Sequence, residues 1–291
     1  MPKVWTALLA WGALGLAAVI SACSPVAALN LLVPRGGYHA VRDLPYGADP
    51  RQKMDVYIPD GLTADAPAML FFYGGSWQDG SKDLYLALGQ AFASQGIIVA
   101  VADYRVYPQV RYPAFVEDGA KAFAYLHEHV AQYGGDASRL FLAGHSAGAY
   151  IAMMLAADSK YLRAAGGDPA WIRGVIGIAG PYDFLPLRDP NLITIFGGAN
   201  VRETQPIDHI DGKRAPMLLA AGTDDETVSP ANTTRMAAKL ASFGSPVEVK
   251  TYPGVGHIGI ILSLAPGFRG RTTLRQDMLD FIKSLSREPR D

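Results

Sequence analysis

The chain has 291 residues, of which 49% are hydrophobic and 18% charged, with a formal net charge of -1. That length and apolar share suit one globular α/β domain whose core needs no covalent staples, and the near-neutral balance gives no electrostatic reason for a nucleic-acid partner. A single cysteine excludes an intrachain disulfide, and with only scattered histidines beside it there is no metal-ligand cluster.

In chain order, Lys3 precedes an uncharged stretch from Val4 to Ile20, and Ser21-Ala22-Cys23 follows. A short cationic start, an apolar run and small residues before a cleavage point make a secretory signal over residues 1–22. Because it ends on cysteine, the segment resembles the lipobox of bacterial lipoproteins. That resemblance implies cleavage before Cys23, lipid on its thiol, and an exported protein of the cell envelope held to a membrane. An uncleaved anchor and an ordinary signal with an incidental cysteine are the alternatives, and the run is short of the roughly 20 residues a spanning helix needs. All three readings take the protein out of the cytoplasm. Residues 23–37 then read as a tether, and residues 38–291 as the domain.

Within the domain, Met54-Asp55-Val56-Tyr57-Ile58 alternates and stops at Pro59, as an antiparallel strand does. Ala68 to Tyr73, Ile97 to Ala102, Leu140 to Ala143, Val175 to Ala179 and Met217 to Ala221 are short apolar runs, and Val247 to Tyr252 is a last strand. Continuous apolar runs mark strands buried on both faces. Helical segments are expected over Leu84–Ser94, Ala114–Gln132, Ala149–Ala157, Asn232–Ser242 and Leu274–Leu285. Strands alternating with such helices predict a mostly parallel sheet covered on both faces. The stretch from Gly180 to Ala215 is rich in Pro, Gly and Asp and lacks a period. It is expected to be an insertion over the active site, with a plain connection as the alternative.

One junction in this series carries chemistry. The run Leu140 to Ala143 leads into Gly144-His145-Ser146-Ala147-Gly148 and then into a helix, which is the strand–turn–helix setting of a G-x-S-x-G nucleophile elbow. Glycines are wanted at 144 and 148 because a Cβ there would collide with neighbouring backbone. A serine hydroxyl needs a base, and the base an orienting carboxylate. In α/β-hydrolases these follow in the order Ser, Asp or Glu, His. Of the six histidines, His39, His127, His129 and His145 precede or adjoin Ser146, and His209 precedes the acid candidates. His257 remains, in the glycine-rich turn after the last strand. The acid belongs on the loop after Ala221, where Asp224, Asp225 and Glu226 stand side by side. Upstream, the Gly74-Gly75 turn closing the second strand can present backbone N–H groups which, with the amide of Ala147, make an oxyanion hole.

Together these residues resemble the α/β-hydrolase superfamily, in its esterase and lipase group, near hormone-sensitive-lipase-like carboxylesterases and kynurenine-formamidase-like or feruloyl-esterase-like enzymes. The likeness covers roughly Met54 to Leu285, through Met54-Asp55-Val56-Tyr57-Ile58-Pro59, Gly74-Gly75-Ser76-Trp77, Asp103-Tyr104-Arg105, Tyr112-Pro113-Ala114 with Glu117-Asp118, Tyr133-Gly134-Gly135-Asp136, the elbow, and Gly180-Pro181-Tyr182-Asp183. It implies the α/β-hydrolase fold and a serine esterase without cofactor, acting on an ester. The family pattern G-x-x-D-x-x-V selects Asp225, with Asp224 as fallback, and carries the oxyanion amides to Gly75, Ser76 and Ala147. Where the family's oxyanion motif begins with histidine, this chain has Tyr73, whose hydroxyl is expected to support the loop instead. Asp103 and Arg105 are expected to form a structural ion pair or cap. Trp77, Tyr182 and Phe184 are candidates for the substrate pocket. Amide hydrolysis of arylformamidase or peptidase type, or a non-catalytic surface scaffold, are the rival readings.

Overall fold

The computed structural model describes residue 30, residues 32–62 and residues 64–287. The expected signal over residues 1–22 and Cys23 lie outside the described residues. Among the described residues no helix is long and apolar enough to cross a membrane.

The strands are β1 (Tyr38–Pro45), β2 (Lys53–Pro59), β3 (Ala66–Phe72), β4 (Ile98–Ala102), β5 (Gly135–His145), β6 (Ile172–Ile178), β7 (Met217–Gly222) and β8 (Val247–Tyr252). They form one eight-stranded sheet in the order β1-β2-β4-β3-β5-β6-β7-β8. β2 pairs antiparallel with β1 and β4, and every pairing from β4 to β8 is parallel. The apolar runs become the middle of the sheet: β4 and residues Leu140–Ala143 of β5 are wholly buried. β1 has no comparable run. Its Arg42 bonds Asp55 of β2, and Lys82 adds a second cation to that fully buried carboxylate at 3.0 Å.

The helices are α1 (Leu86–Ala93), α2 (Ala114–His129), α3 (Ala147–Ala157), α4 (Ser159–Ala164), α5 (Pro190–Ile195), α6 (Ala231–Ser242), α7 (His257–Leu262) and α8 (Leu274–Arg287). They cover both faces of the sheet. Phe72 of β3 and Ile151 of α3 lie close to Gly119 of α2, and Phe141 of β5 meets Phe281 of α8 edge-on at 6.3 Å. This is the α/β-hydrolase fold. Three registers fix where its loops emerge: Phe72 is level with Gly144, His145 with Ile178, and Gly222 with Tyr252. The carboxyl ends of β3, β5, β7 and β8 thus open on one edge, where ligand sites of such sheets form.

Candidate active site

Ser146 stands between β5 and α3 with φ 55° and ψ -123°, an uncommon conformation for a residue carrying a Cβ. Only glycine fits on either side. A Cβ on Gly148 would lie 2.0 Å from the Phe72 carbonyl oxygen, and one on Gly144 would lie 2.3 Å from the Gly148 carbonyl carbon. The close crossing of β3 over the turn therefore holds the serine in its strained state.

His257 and Asp225 arrive from the ends of β8 and β7. Their loops are stitched together by backbone bonds from Thr223 to Tyr252 (3.0 Å) and from Asp224 to Val255 (3.1 Å). The His257 Nδ1–H donates to Asp225 Oδ2 at 2.7 Å, and Nε2 lies 2.9 Å from Ser146 Oγ. Asp225 Oδ1 accepts from the N–H groups of Thr227 (2.9 Å) and Val228 (2.8 Å). All three side chains are buried. Asp224 is exposed, and its carboxylate takes the Thr223 hydroxyl instead. Of the three adjacent acids, Asp225 is thus the one that meets the imidazole. His257 was expected in an open turn; it is the first residue of α7.

His145, which chain order set aside as a base, is nonetheless part of the site. It is buried, and its Nε2 lies 3.1 Å from the His257 carbonyl oxygen, so the Nε2–H donates to it. Burial, and then the nearby charge of His257, push its pKa down to about 3, which keeps the ring neutral. It braces the backbone of His257 directly beneath the imidazole. Its place inside the G-x-S-x-G turn was the signal available in the sequence.

Opposite the elbow, the β3–α1 loop turns sharply: Gly75, Ser76 and Trp77 have φ of 137°, 53° and 59°. The Gly75 carbonyl accepts from the amides of Gln78 (2.9 Å) and Asp79 (3.1 Å). Among the described residues the N–H groups of Gly75, Ser76 and Ala147 meet no acceptor. Ser76 and Ala147 both border the cleft above Ser146. Tyr73 anchors the loop from below. Its hydroxyl donates to Asp103 Oδ1 at 2.7 Å and accepts from Arg51 Nη2 at 3.0 Å, while Arg51 also reaches the Gly80 carbonyl at 2.9 Å. Asp103 takes the Lys82 amide at 2.7 Å as well, and burial raises its pKa despite these donors.

Asp103 and Arg105 are structural, as expected, each with its own partners: Arg105 forks onto fully buried Asp118 of α2 at 2.6–3.1 Å, which leaves Asp103 to the oxyanion loop. One expectation needs correction. Tyr182 does not line the pocket. It is fully buried, with its ring lying over Gly177 and Gly180, where a Cβ would come within 2.0 and 2.4 Å of it. Those glycines make room for the ring in the core.

The cleft itself is about 510 Å³, within the range of small-molecule sites. Trp77 and Phe184 line it, stacked at 6.1 Å, and Trp77 rests edge-on against Phe196 at 4.8 Å. The first part of the Gly180–Ala215 stretch, from Pro181 to Leu192, supplies one wall. Among the described residues no group of three or more His, Cys, Asp or Glu could share a metal ion.

A buried serine bonded to an imidazole, with free amides nearby, can carry out acyl transfer. Residues 54–240 match the BD-FAE family. The chain belongs to that family. Among relatives of this BD-FAE member, a probable isoprenylcysteine alpha-carbonyl methylesterase of Arabidopsis thaliana is 31% identical over 76% of the chain, and esterase LipC of Mycobacterium tuberculosis is 30% identical over 73%. The chain spans 51% and 58% of those two relatives' lengths. Among solved structures, a carbohydrate esterase from gut microbiota aligns with a TM-score of 0.75 at 19% identity, covering 88% of this chain and 99% of its own. Esterase B from Lactobacillus rhamnosis aligns equally well, at 20% identity over 96% and 97% of the two chains. At such identities these structures speak for the fold.

Proposed function

We propose that this BD-FAE family protein is a serine carboxylic ester hydrolase. The observation that carries the reading is the unbroken line from Asp225 Oδ2 through His257 to Ser146 Oγ, at 2.7 and 2.9 Å. His257 Nε2 takes the hydroxyl proton as Oγ attacks the ester carbonyl. Asp225 holds Nδ1–H and stabilises the imidazolium that results. The oxyanion settles against the amides of Gly75, Ser76 and Ala147, donors typically worth ~3 kcal/mol each in such sites. His257 then protonates the departing alkoxide. Water, deprotonated by the same nitrogen, releases the acid from the acyl-enzyme. The esterase names of its relatives support the reading.

The leader supports a second, independent part of the proposal. Lys3, the uncharged run from Val4 to Ile20 and Ser21-Ala22-Cys23 suit export and lipid attachment at Cys23, so that the enzyme works from a membrane surface of the cell envelope. Globomycin-sensitive processing of the full chain, lost in Cys23→Ala, is the expected outcome.

The catalytic part is tested with the domain from Ser24 onward against p-nitrophenyl esters of rising chain length. Turnover is expected, with Ser146→Ala losing on the order of 10⁶ in kcat. A folded parent that neither turns over nor labels with a fluorophosphonate would sink the proposal.

A further inference from the structure

Two arginines line the cleft beside Ser146, and they are not equivalent. Arg235 is committed: its Nε donates to Asp183 Oδ2 at 2.5 Å and its Nη2 to the Asp183 carbonyl at 2.7 Å. Asp183 is the only carboxylate among the lining residues, so this pair cancels within the wall. Arg188 is exposed and, among the described residues, forms no hydrogen bond or ion pair. Its neighbour Asp189 is already engaged, with Oδ1 accepting from the amides of Asn191 (2.7 Å) and Leu192 (3.1 Å) to cap α5.

The base of Arg188 is also fixed. Leu187 is buried and donates its N–H to the Ala199 carbonyl at 2.7 Å, and on the other side the Asp189 cap ties the chain to α5. A guanidinium on a held backbone, facing a cleft with no anion left to meet it, is a ready receptor for a substrate charge. Its planar fork matches a carboxylate bidentately.

We infer that Arg188 selects esters bearing a second group, a carboxylate remote from the scissile carbonyl. This rests on the ester-hydrolase reading and names the substrate class of that same site. The chemistry at Ser146 is unchanged; the remote carboxylate supplies binding and orientation, and neither gains nor loses a bond.

The test uses two matched pairs. 4-Acetoxybenzoate against 4-acetoxybenzamide places the charge on the alcohol side. Mono-4-nitrophenyl adipate against the 4-nitrophenyl ester of adipic monoamide places it on the acyl side. Each kcat/KM is divided by the ester's hydroxide-catalysed rate. In at least one pair the anionic member is expected to lead by about fivefold at low salt, equivalent to ~1 kcal/mol. The lead should shrink in about 1 M salt, vanish in Arg188→Gln and reverse in Arg188→Glu. Ratios near one for both pairs in the parent, or an undiminished ratio in Arg188→Gln, overturn the inference and leave the esterase reading standing, since the neutral esters turn over. No turnover of any of the four overturns the esterase reading and this inference with it.

Discussion

The elbow and the wall from Pro181 to Leu192 both border Ser146, yet they are held by different kinds of constraint. At the elbow the backbone itself decides: β3 crosses so close to residue 148, and the turn brings residue 144 so close to residue 148, that both must lack a Cβ. At the wall the backbone is held by side chains from far along the chain. Asn232 Oδ1 accepts from the amides of Tyr182 (2.9 Å) and Asp183 (2.8 Å), and Gln205 Oε1 accepts from Phe184 (2.8 Å). A backbone collision dictates residue type, whereas a remote amide holds only backbone and leaves side chains to be fixed by packing, as Tyr182 is in the core. Chemistry and selectivity therefore rest on separate supports.

Substitutions in the two regions should separate accordingly. After Ser146→Ala, the largest effect is expected for Asp225→Asn, because the Asp225 carboxylate orients the imidazole bonded to the elbow serine; the imidazole is left in the wrong tautomer and kcat should fall by about 10⁴. Asp224→Asn, on the same loop, should stay close to the parent. Equal losses in the two would show that the carboxylate has been misassigned. Next comes Gly148→Ala, whose new methyl would meet two backbone carbonyl oxygens, at 2.0 and 2.6 Å. Neither can swing aside, so urea unfolding should show a loss of ~3 kcal/mol or more.

A smaller effect tests the brace beneath His257. His145 has its pKa lowered from 6.5 to about 3, so the folded protein resists its protonation. The stability it contributes is complete above pH 6.5 and declines as pH falls toward 3, by about 3 kcal/mol at pH 4.5. His145→Gln keeps an N–H donor but cannot be protonated, so its loss of stability between pH 7 and 4.5 should be shallower than the parent's. Identical slopes would remove His145 from the account. The smallest change is expected at the wall. Phe184→Ala should alter the ranking of acyl chain lengths through kcat/KM changes of about fivefold, with the unfolding midpoint nearly kept. A collapse of turnover on every ester would mean that wall and elbow are not separable.

The same division explains what could be read from the sequence. The elbow was legible because its glycines answer to a local collision, and His257 because chain order leaves one histidine after the acids. The central strands declared themselves as apolar runs wholly buried in the sheet. β1 went unread because its core-facing residues Tyr38, Val41 and Leu44 are scattered among polar ones, and its pairing with β2 and the meeting of Arg42 with Asp55 exist only in the fold. Arg105 met Asp118 on α2 and not its sequence neighbour Asp103, since a buried carboxylate on a packed helix outcompetes a nearby one claimed by Tyr73. Tyr182 was misplaced for a related reason. The space for its ring is made by Gly177 on β6 and by Gly180, a vacancy that no hydrophobic period announces.

The wall touches the oxyanion loop through the stack of Phe184 on Trp77 at 6.1 Å and through one exposed side-chain bond, from Asn191 Nδ2 to Gln78 Oε1 at 3.0 Å. Tyr182 and Leu187 are buried, so the lightly tied part is the exposed stretch from Arg188 to Asn191. Changes there can alter what the cleft admits while the bonded line from Asp225 through His257 to Ser146 stays in place. A library built there varies the rim of the cleft without first having to rebuild the elbow.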